Sequence, residues 1–441
     1  SKGVLEGLAD ADIILQASDN ITIQPTVNLN FTTSPGGSLT FTADLDGDGV
    51  GSFEMQVTDQ LNTGGRDLII SAADISVGQL ITGESRIGNT AYAAGDITLT
   101  ASTGSVSTTN LVAYSEATLN SANTGGEVTI TAAQDISIGN ILTNSFVGNN
   151  NAANAGSVVL TATSGNITMG RIDAFSQAAD NNAGNGGDVF LTAPNGQISV
   201  EEIRTFALAQ NNNNADDAGN VTLSAGGNIT VQYINAEADE DGGIISIATN
   251  QQFNAIGAFN ALSGDLASVS SAGRDDDGSV TLRTGNNSFQ IGGLPNNGTV
   301  GGIVAGVGNV LLPTQTLIED VTQGNLQITL GASPVTPPPS VSVDDAVNNG
   351  DAMDNSGGAV FAAPQTTPTE SSELSAVIVD GAQQTDTVKQ LAALENNFSA
   401  QFADQLGLSG DYDVPLAFSL EQMQRVLKTA EAQLQIRPSL V

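Results

Sequence analysis

The chain has 441 residues, of which 11 are basic and 47 acidic, so its formal net charge is −36. It contains neither histidine nor cysteine, which excludes an imidazole general base, a thiolate nucleophile and the usual zinc, haem and iron–sulfur ligands. So large a negative charge argues against binding to a nucleic-acid backbone. Hydrophobic residues make up 39% of the chain, enough for a core, and no apolar run is long enough to span a bilayer.

A short phrase, Gly–polar–apolar–polar–apolar, recurs along the first part of the chain, with its clearest copies between Gly95 and Leu223. Repetition at this period, without a helical pattern, is typical of a solenoid. We therefore expect the central apolar residue of each copy to stack on its equivalent in the next coil. Ten such anchors, spaced by 24 to 35 residues, are Ile13, Leu39, Leu68, Ile97, Val128, Val158, Val189, Val221, Ile245 and Val280.

Two further strand-like runs follow each anchor, as in Ile136–Ile138 and Ile141–Leu142, and they alternate apolar with polar residues. Short turns such as Ser164–Asn166 and Pro194–Gly196 separate the first and second strands, and we expect positive φ angles there. The sequence thus predicts an all-β fold: a right-handed parallel β-helix over residues 1–333, with three strands in each coil of roughly 30 residues. Residues 283–330 are predicted to form one or two irregular closing coils.

Asn-rich inserts of variable sequence follow the third strand at the same corner of successive coils. We expect them to protrude from one edge of the solenoid as a crest. Two interpretations stay open, namely drift of surface loops and a crest that contacts a ligand or a neighbouring fibre. The inserts are Gly148–Gly156, Asp180–Gly187 and Asn211–Gly219.

The composition changes at a run of prolines, and residues 334–372 are predicted to be a Pro/Thr-rich acidic linker. Residues 373–441 are predicted to form a small tail with one lone strand, Leu374–Val379, and two helices. An apolar stripe with helical spacing runs from Val388 to Leu406, and a capping box at Ser419–Gln422 opens the second helix.

The phrases ADIILQASDNITI (residues 11–23), GGSLTFTADLDGDGVGSF (36–53) and GDITLTA (95–101) resemble the filamentous-haemagglutinin-type β-helix repeats of large secreted bacterial proteins, especially cyanobacterial ones. This resemblance covers roughly residues 5–330. Residues 419–441 are similar to the stretch that leads into a caspase-like CHAT protease domain in the same proteins, but the catalytic His and Cys of that domain are absent. The resemblance implies a central segment of a longer secreted precursor, located outside the cell or on its surface, without proteolytic activity.

Asp44, Asp46 and Asp48 match the D-x-D-x-D-G start of a calcium loop, in which alternate carboxylates converge on one hard cation. Met55 stands where an EF-hand requires Glu, with Glu54 one residue early, so an EF-hand is not expected. A calcium-binding loop between strands and a solvated acidic turn remain as alternatives. Weaker versions of the pattern occur at Asp239–Gly242 and Arg274–Gly278.

An enzyme must also be considered, because many β-helices act on polysaccharides through clustered carboxylates and basic residues. Arg171 and Asp173 lie one repeat before Glu202 and Arg204, near the third strand. We interpret them as stacked ion pairs on a solvent-facing strand, and we predict no enzymatic activity.

The predicted function is structural. A β-helix with exposed backbone edges at both ends can stack end to end, so we expect a subunit of a secreted fibre or surface filament. The tail is expected to dock on a neighbouring subunit, and calcium is expected to offset the repulsion between acidic subunits. The alternative is a rigid adhesin stalk that binds a glycan or cell-surface partner through its Asn-rich crest.

Overall fold

The computed structural model describes residues 5–6, 11–31, 37–86, 90–179, 181–209, 215–293, 296–306 and 309–331. These residues form an all-β parallel solenoid of about nine turns, with almost no helix. The predicted linker (334–372) and tail (373–441) lie outside the described residues. Sequence periodicity therefore gave the correct fold class for the solenoid.

The described residues contain 37 strands, and only Leu5 and Glu6 are helical. In chain order the strands are β1 (Ile13–Gln16), β2 (Ile21–Thr22), β3 (Leu29–Asn30), β4 (Ser38–Thr42), β5 (Ser52–Glu54), β6 (Gln60–Asn62), β7 (Asp67–Ala72), β8 (Asp74–Ser76), β9 (Gln79–Ile81), β10 (Glu84–Arg86), β11 (Ile97–Ala101), β12 (Val106–Val112), β13 (Ser115–Ala117), β14 (Val128–Ala132), β15 (Ile136–Leu142), β16 (Ser145–Val147), β17 (Val158–Ala162), β18 (Ile167–Met169), β19 (Ile172–Asp173), β20 (Ser176–Ala178), β21 (Val189–Ala193), β22 (Ile198–Arg204), β23 (Ala207–Ala209), β24 (Val221–Ala225), β25 (Ile229–Asn235), β26 (Ile244–Thr249), β27 (Phe253–Ala255), β28 (Phe259–Asn260), β29 (Leu266–Ser270), β30 (Ser279–Thr284), β31 (Phe289–Ile291), β32 (Gly298–Thr299), β33 (Gly302–Val304), β34 (Val310–Leu311), β35 (Gln315–Leu317), β36 (Val321–Gln323) and β37 (Leu326–Leu330).

Sheet A collects the first strand of each coil, in the order β1-β4-β7-β11-β14-β17-β21-β24-β26-β30-β37-β36. All ten predicted anchors pair in register from one coil to the next. An eleventh position, Leu326, continues the column beyond Val280. The stacking predicted from the sequence is confirmed, and the closing region 283–330 supplies the last parallel strand.

Sheet B contains the predicted second and third strands. In four coils both form one continuous strand (β12, β15, β22 and β25), whereas elsewhere they stay separate, as β8 and β9 or β18 and β19. Sheet C, in the order β10-β13-β16-β20-β23, is a further parallel sheet that the sequence analysis did not predict. Its strands have only three residues each and lie between the predicted third strand and the insert that follows it.

Aliphatic side chains from successive coils fill the interior as one continuous core. Leu68, Ile97 and Val128, for example, are fully buried and lie in one column. Burying such a side chain contributes about 1.5–3 kcal/mol, so each coil is stabilised mainly by its neighbours.

The glycines at the start of the repeat phrase are required by close packing between coils. A Cβ atom on Gly187 would lie 2.1 Å from the carbonyl oxygen of Gly156 in the preceding coil. The same is true at the corner turns, where a Cβ on Gly196 would lie 1.9 Å from the Gly165 carbonyl oxygen. Neither Gly165 nor Gly196 has a positive φ. The prediction of positive φ at these turns is therefore wrong, and close backbone approach explains the glycines instead.

The two ends of the described solenoid differ. At the C-terminal end the ladders of sheets A and B close with short antiparallel strands: β36 on β37 in sheet A, and β35 on β31 and β34 on β33 in sheet B. Sheet C ends at β23, which pairs parallel with β20. At the N-terminal end β1, β2 and β3 pair, among the described residues, only with the following coil. Leu5 packs on the core, and the Glu6 carboxylate accepts a hydrogen bond from the Asn30 N–H at 2.7 Å. Parallel stacking in sheets A and B therefore stops at the C-terminal hairpins, so the two ends of the described solenoid are not equivalent.

Candidate metal centre and charged clusters

The loop between β4 and β5 carries the three aspartates of the predicted calcium motif. It turns tightly because Asp44, Gly47 and Gly49 adopt φ angles of 57°, 71° and 84°, a region open to glycine and tolerated by aspartate. The Asp44 N–H donates to the Asp19 carbonyl at 3.0 Å. The loop is thereby fastened to the segment that follows β1 in the first coil.

Asp44, Asp46 and Asp48 each place one carboxylate oxygen within 4.8 Å of the others. Calcium binds oxygens at 2.3–2.6 Å, so two ligands of one ion lie at most about 5 Å apart. The spacing is therefore compatible with one shared cation. Asp44 is half-buried, whereas Asp46 and Asp48 are exposed. The structure brings the predicted residues together, and calcium binding stays a prediction.

Backbone donors orient two of these carboxylates. The Gly49 N–H donates to Asp44 Oδ1 at 3.1 Å, and the Val50 N–H donates to Asp48 Oδ1 at 2.8 Å. Asp46 and Asp48 are exposed to solvent. Such partial pre-orientation lowers the entropy lost when an ion binds.

The residue at the position of the EF-hand glutamate packs in the core of the solenoid. Met55 is buried, and Glu54 in β5 accepts a hydrogen bond from the Ser52 hydroxyl at 2.8 Å. Strands flank the loop on both sides, as the sequence predicted. Any site here is therefore a loop between strands.

The two weaker acidic phrases, Asp239–Gly242 and Arg274–Gly278, lie on successive coils at the same corner, where Asp241 pairs with Asp276. Arg274 contacts Asp239 at 2.6 Å, so the charge of this aspartate is already balanced. Burial and the neighbouring carboxylates raise the pKa of Asp241. Among the residues that the structure describes, only the Asp44 loop has carboxylates arranged to share a metal ion.

The pair Asp173–Arg204 is buried, which corrects the prediction of a solvent-facing ladder. The two residues are register partners in sheet B and are 2% and 5% exposed. Arg204 Nε and Nη2 contact the two carboxylate oxygens of Asp173 at 2.6 and 2.8 Å. Arg171 Nε lies 2.9 Å from the same carboxylate. A carboxylate held by two arginines joins neighbouring coils and is not a free acid–base group.

Two aromatic rings cover this ion pair at the junction of sheets B and C. Phe175 and Phe206 stack with ring centroids 4.6 Å apart, and the Arg204 guanidinium lies 5.5 Å from the Phe175 centroid. Both rings are buried outside the main core. Side chains on the outer face of the two sheets therefore shield one another from water.

The described residues of the Asn-rich inserts are stacked in register, which the sequence analysis did not predict; Asp180 and residues 211–214 of these inserts lie outside the described residues. Parallel bridges join Ala122 to Ala152 and Ala183 to Ala215, and all four alanines are buried. The exposed asparagines form hydrogen bonds between coils, for example from the Asn185 N–H to Asn154 Oδ1 at 3.0 Å. The crest is therefore a regular amide ladder. The repeated Ala and Asn spacing within the inserts is the signal that could have revealed it.

Glu237 is a second buried carboxylate, and the sequence analysis did not select it. It is 2% exposed and accepts hydrogen bonds from the Ser270 hydroxyl at 2.6 Å and the Leu262 N–H at 2.9 Å, both at Oε1. Burial raises the pKa of Glu237 to about 7, although both hydrogen bonds oppose the shift.

Comparisons with protein-family models, curated proteins and solved structures gave no match for this chain. The resemblance to filamentous-haemagglutinin-type proteins therefore stays a prediction. Over the described portion of the chain, no helix combines the length and apolar character needed to cross a membrane.

Proposed function

We propose that the chain is a structural subunit of a secreted bacterial fibre or surface filament, and that assembly uses the N-terminal edge of the solenoid. The observation that supports this proposal is the difference between the two ends. Short antiparallel strands finish the ladders of sheets A and B at one end, whereas β1 presents an edge that no described strand covers. An uncovered strand edge favours addition of a strand from another chain.

The backbone of β1 is suitable for such an addition. The Ala17 N–H donates to the Thr42 carbonyl at 2.8 Å, and successive N–H groups of a strand point to opposite sides. The N–H groups of Ile14 and Gln16 therefore face away from β4. Ile14 is also 61% exposed, so its side chain adds apolar area to this edge.

The donor in this proposal is the lone strand Leu374–Val379 of a neighbouring subunit, carried by the linker 334–372. The contact is heterologous and does not close on itself, so it continues into a filament. We further propose that the coils are right-handed, as crossovers between parallel strands usually are, and that the tail contains the two helices indicated by the sequence. The chain is proposed to act outside the cell and without catalysis.

The same proposal includes a stabilising role for calcium. The Asp44 loop is bonded to the Asp19 carbonyl, just after β1, so an ion held by Asp44, Asp46 and Asp48 would stabilise the first coil. It would also reduce the repulsion between subunits of charge −36.

The test is light scattering of the full chain at increasing concentration with calcium. We expect polymers from the wild type and monomers from Ile14→Pro, because proline removes an outward N–H without breaking a β1–β4 hydrogen bond. Ile244→Lys is the matched control, since Ile244 is 56% exposed but β26 is paired on both sides. Deletion after residue 333 should also abolish polymers. A wild type that stays monomeric throughout would refute the proposal.

A second candidate function is supported by the amide ladder of the crest. Its regular Asn side chains offer donors and acceptors at the spacing of the coils, about 4.8 Å, which suits hydrogen bonding to the hydroxyls of a glycan or to a cell-surface partner. In this case Asn151→Ala combined with Asn154→Ala should abolish adhesion to cells, whereas deletion after residue 333 should leave it intact. The opposite pattern would exclude the crest.

A further inference from the structure

A small hairpin is inserted into the ninth interval between sheet-A anchors, between β27 and β29. In it, β28 pairs antiparallel with β29, with Phe259 opposite Ala267. The Gly264 N–H donates to the Ala261 carbonyl at 2.8 Å, and Gly264 has a φ of 84°. This insertion accounts for the longest anchor spacing, 35 residues between Ile245 and Val280.

Few contacts hold the hairpin on the solenoid. Phe259 packs on Tyr233 with ring centroids 5.0 Å apart, and the small cluster beneath it consists of Ala261, Ala267, Ala272 and Val304, with Phe259 and Val310 at its edge. Leu262 and Leu266 are 37% and 52% exposed. Because little apolar surface is buried, local opening of the hairpin is expected to require much less free energy than global unfolding.

At its first residue the hairpin is held by the Gly257 N–H, which donates to the Gln232 carbonyl at 2.9 Å, and by the Gly257 carbonyl, which accepts from the Ser268 hydroxyl. Near its tip the polar attachment is one oxygen, Oε1 of Glu237. It receives the Leu262 N–H from the hairpin and the Ser270 hydroxyl from the strand at its base. The hairpin therefore covers this carboxyl group, which becomes accessible to water when the hairpin lifts.

The elements around Glu237 supply no counter-ion. In the preceding coil Arg204 is paired with Asp173; beyond Glu237 in its own coil Asp239 is paired with Arg274. The hairpin contains Asp265, which accepts a hydrogen bond from Ser263, and the following coil presents the hydroxyls of Ser270 and Ser271. None of these charged groups contributes to the raised pKa of Glu237, for which burial is the largest cause.

We propose that Glu237 is a protonation-controlled latch for residues 257–266: the neutral carboxyl group holds the hairpin closed, and its ionisation favours the open hairpin, in which water solvates the charge.

The direction and size of the expected pH effect on hairpin opening follow from the linkage between protonation and opening. The pKa of Glu237 is about 7 in the closed state against an ordinary 4.5, a difference of 7 − 4.5 = 2.5. The closed state is therefore fully favoured below about pH 4.5 and loses stability as the pH rises to about 7. If the open state restores the ordinary pKa, the opening equilibrium constant increases by up to about 300-fold over this interval and is constant above it.

Hydrogen exchange measured by mass spectrometry on the full chain tests the latch. After correction for intrinsic rates, we expect protection of the peptide covering 257–266 to fall by about 100-fold or more between pH 4.5 and 8 in the wild type. Glu237→Gln should keep the peptide protected at both values, because the amide oxygen still accepts both hydrogen bonds without a charge. Glu201→Gln, an exposed position in a nearby coil, should behave as the wild type. Equal wild-type protection at both pH values, or an unchanged pH dependence in Glu237→Gln, would overturn the proposal.

Ser270→Ala provides a second test that does not depend on the folding of Glu237→Gln. The Ser270 hydroxyl stabilises the ionised carboxylate, so its removal raises the pKa of Glu237 further. The midpoint of the protection change should move to higher pH. A lower or unchanged midpoint, with the hairpin still protected at low pH, would contradict the assignment of the titration to Glu237.

Discussion

The buried ion pair between Asp173 and Arg204 makes an asymmetric prediction for stability. Replacing Asp173 by Leu leaves the Arg204 guanidinium 5% exposed without its carboxylate, and an unpaired buried charge costs about 3–5 kcal/mol. Arg204→Met should cost less, about 1–2 kcal/mol. The reason is that Arg171 Nε still lies 2.9 Å from Asp173 and is itself one-third exposed.

The double variant Asp173→Leu/Arg204→Met should recover most of the loss and lie within about 1 kcal/mol of the wild type, because it leaves no fully buried charge unpaired: Arg171 loses its partner but is one-third exposed. The assay is urea denaturation, with the midpoint converted to free energy only where the slopes agree. Arg283→Met serves as a control. Arg283 is exposed, so this change should cost less than about 1 kcal/mol.

Equal losses in Asp173→Leu and Arg204→Met would show that Arg171 does not stabilise the remaining carboxylate. A double variant less stable than both single variants would refute the view that the pair is costly to break but replaceable.

Three further predictions concern backbone packing, metal and pH. Gly187→Ala should destabilise the fold by more than about 2 kcal/mol, because its Cβ would lie 2.1 Å from a backbone carbonyl oxygen. Gly47→Ala should cost about 1 kcal/mol, because Gly47 lies in open space with a φ of 71°. The melting temperatures of the two variants test this difference. Calcium should raise the melting temperature of the wild type but not of Asp46→Asn, and excess chelator should reverse the rise. Burial raises the pKa of Asp188, so its contribution to stability is present at low pH and lost as the pH rises through that raised pKa. Asp188→Asn should therefore stabilise the fold at neutral pH, because Asn220 already accepts the equivalent hydrogen bond in the next coil.

Each of these has a contrary outcome that is simple to recognise. Similar melting of the two glycine variants would mean that the coils separate enough to admit a methyl group. Melting that chelator leaves unchanged would remove calcium from the account of the Asp44 loop. A neutral-pH loss of stability in Asp188→Asn would show that Asp188 is stabilised as the anion.

The sequence predicted the interior of this solenoid much better than its exterior. A repeat period identifies residues that share one environment, and Ile97 and Val128 share theirs because each contacts the same position in the next coil. Strand alternation also places Asp173 correctly on the outer face. Strand alternation does not predict whether that outer face is exposed to water, because its exposure depends on the neighbouring sheet C. The three-residue strands of sheet C, such as Ser176–Ala178, show no aliphatic alternation that a sequence pattern could detect.

The ends were difficult for the same physical reason. A cap interrupts the repeat by definition, and strands of two or three residues such as Val310–Leu311 are too short to show a period. Yet these strands decide which assembly is possible. Because the ladders of sheets A and B reverse direction at the C-terminal end, parallel stacking of these two sheets does not continue there into another subunit. In the proposed filament, growth through β1 therefore uses a donor other than the opposite end of a solenoid. The chain offers one apolar strand-like segment outside the repeats, residues 374–379. If a variant that lacks only residues 374–379 still polymerises, the filament does not form by docking of this segment.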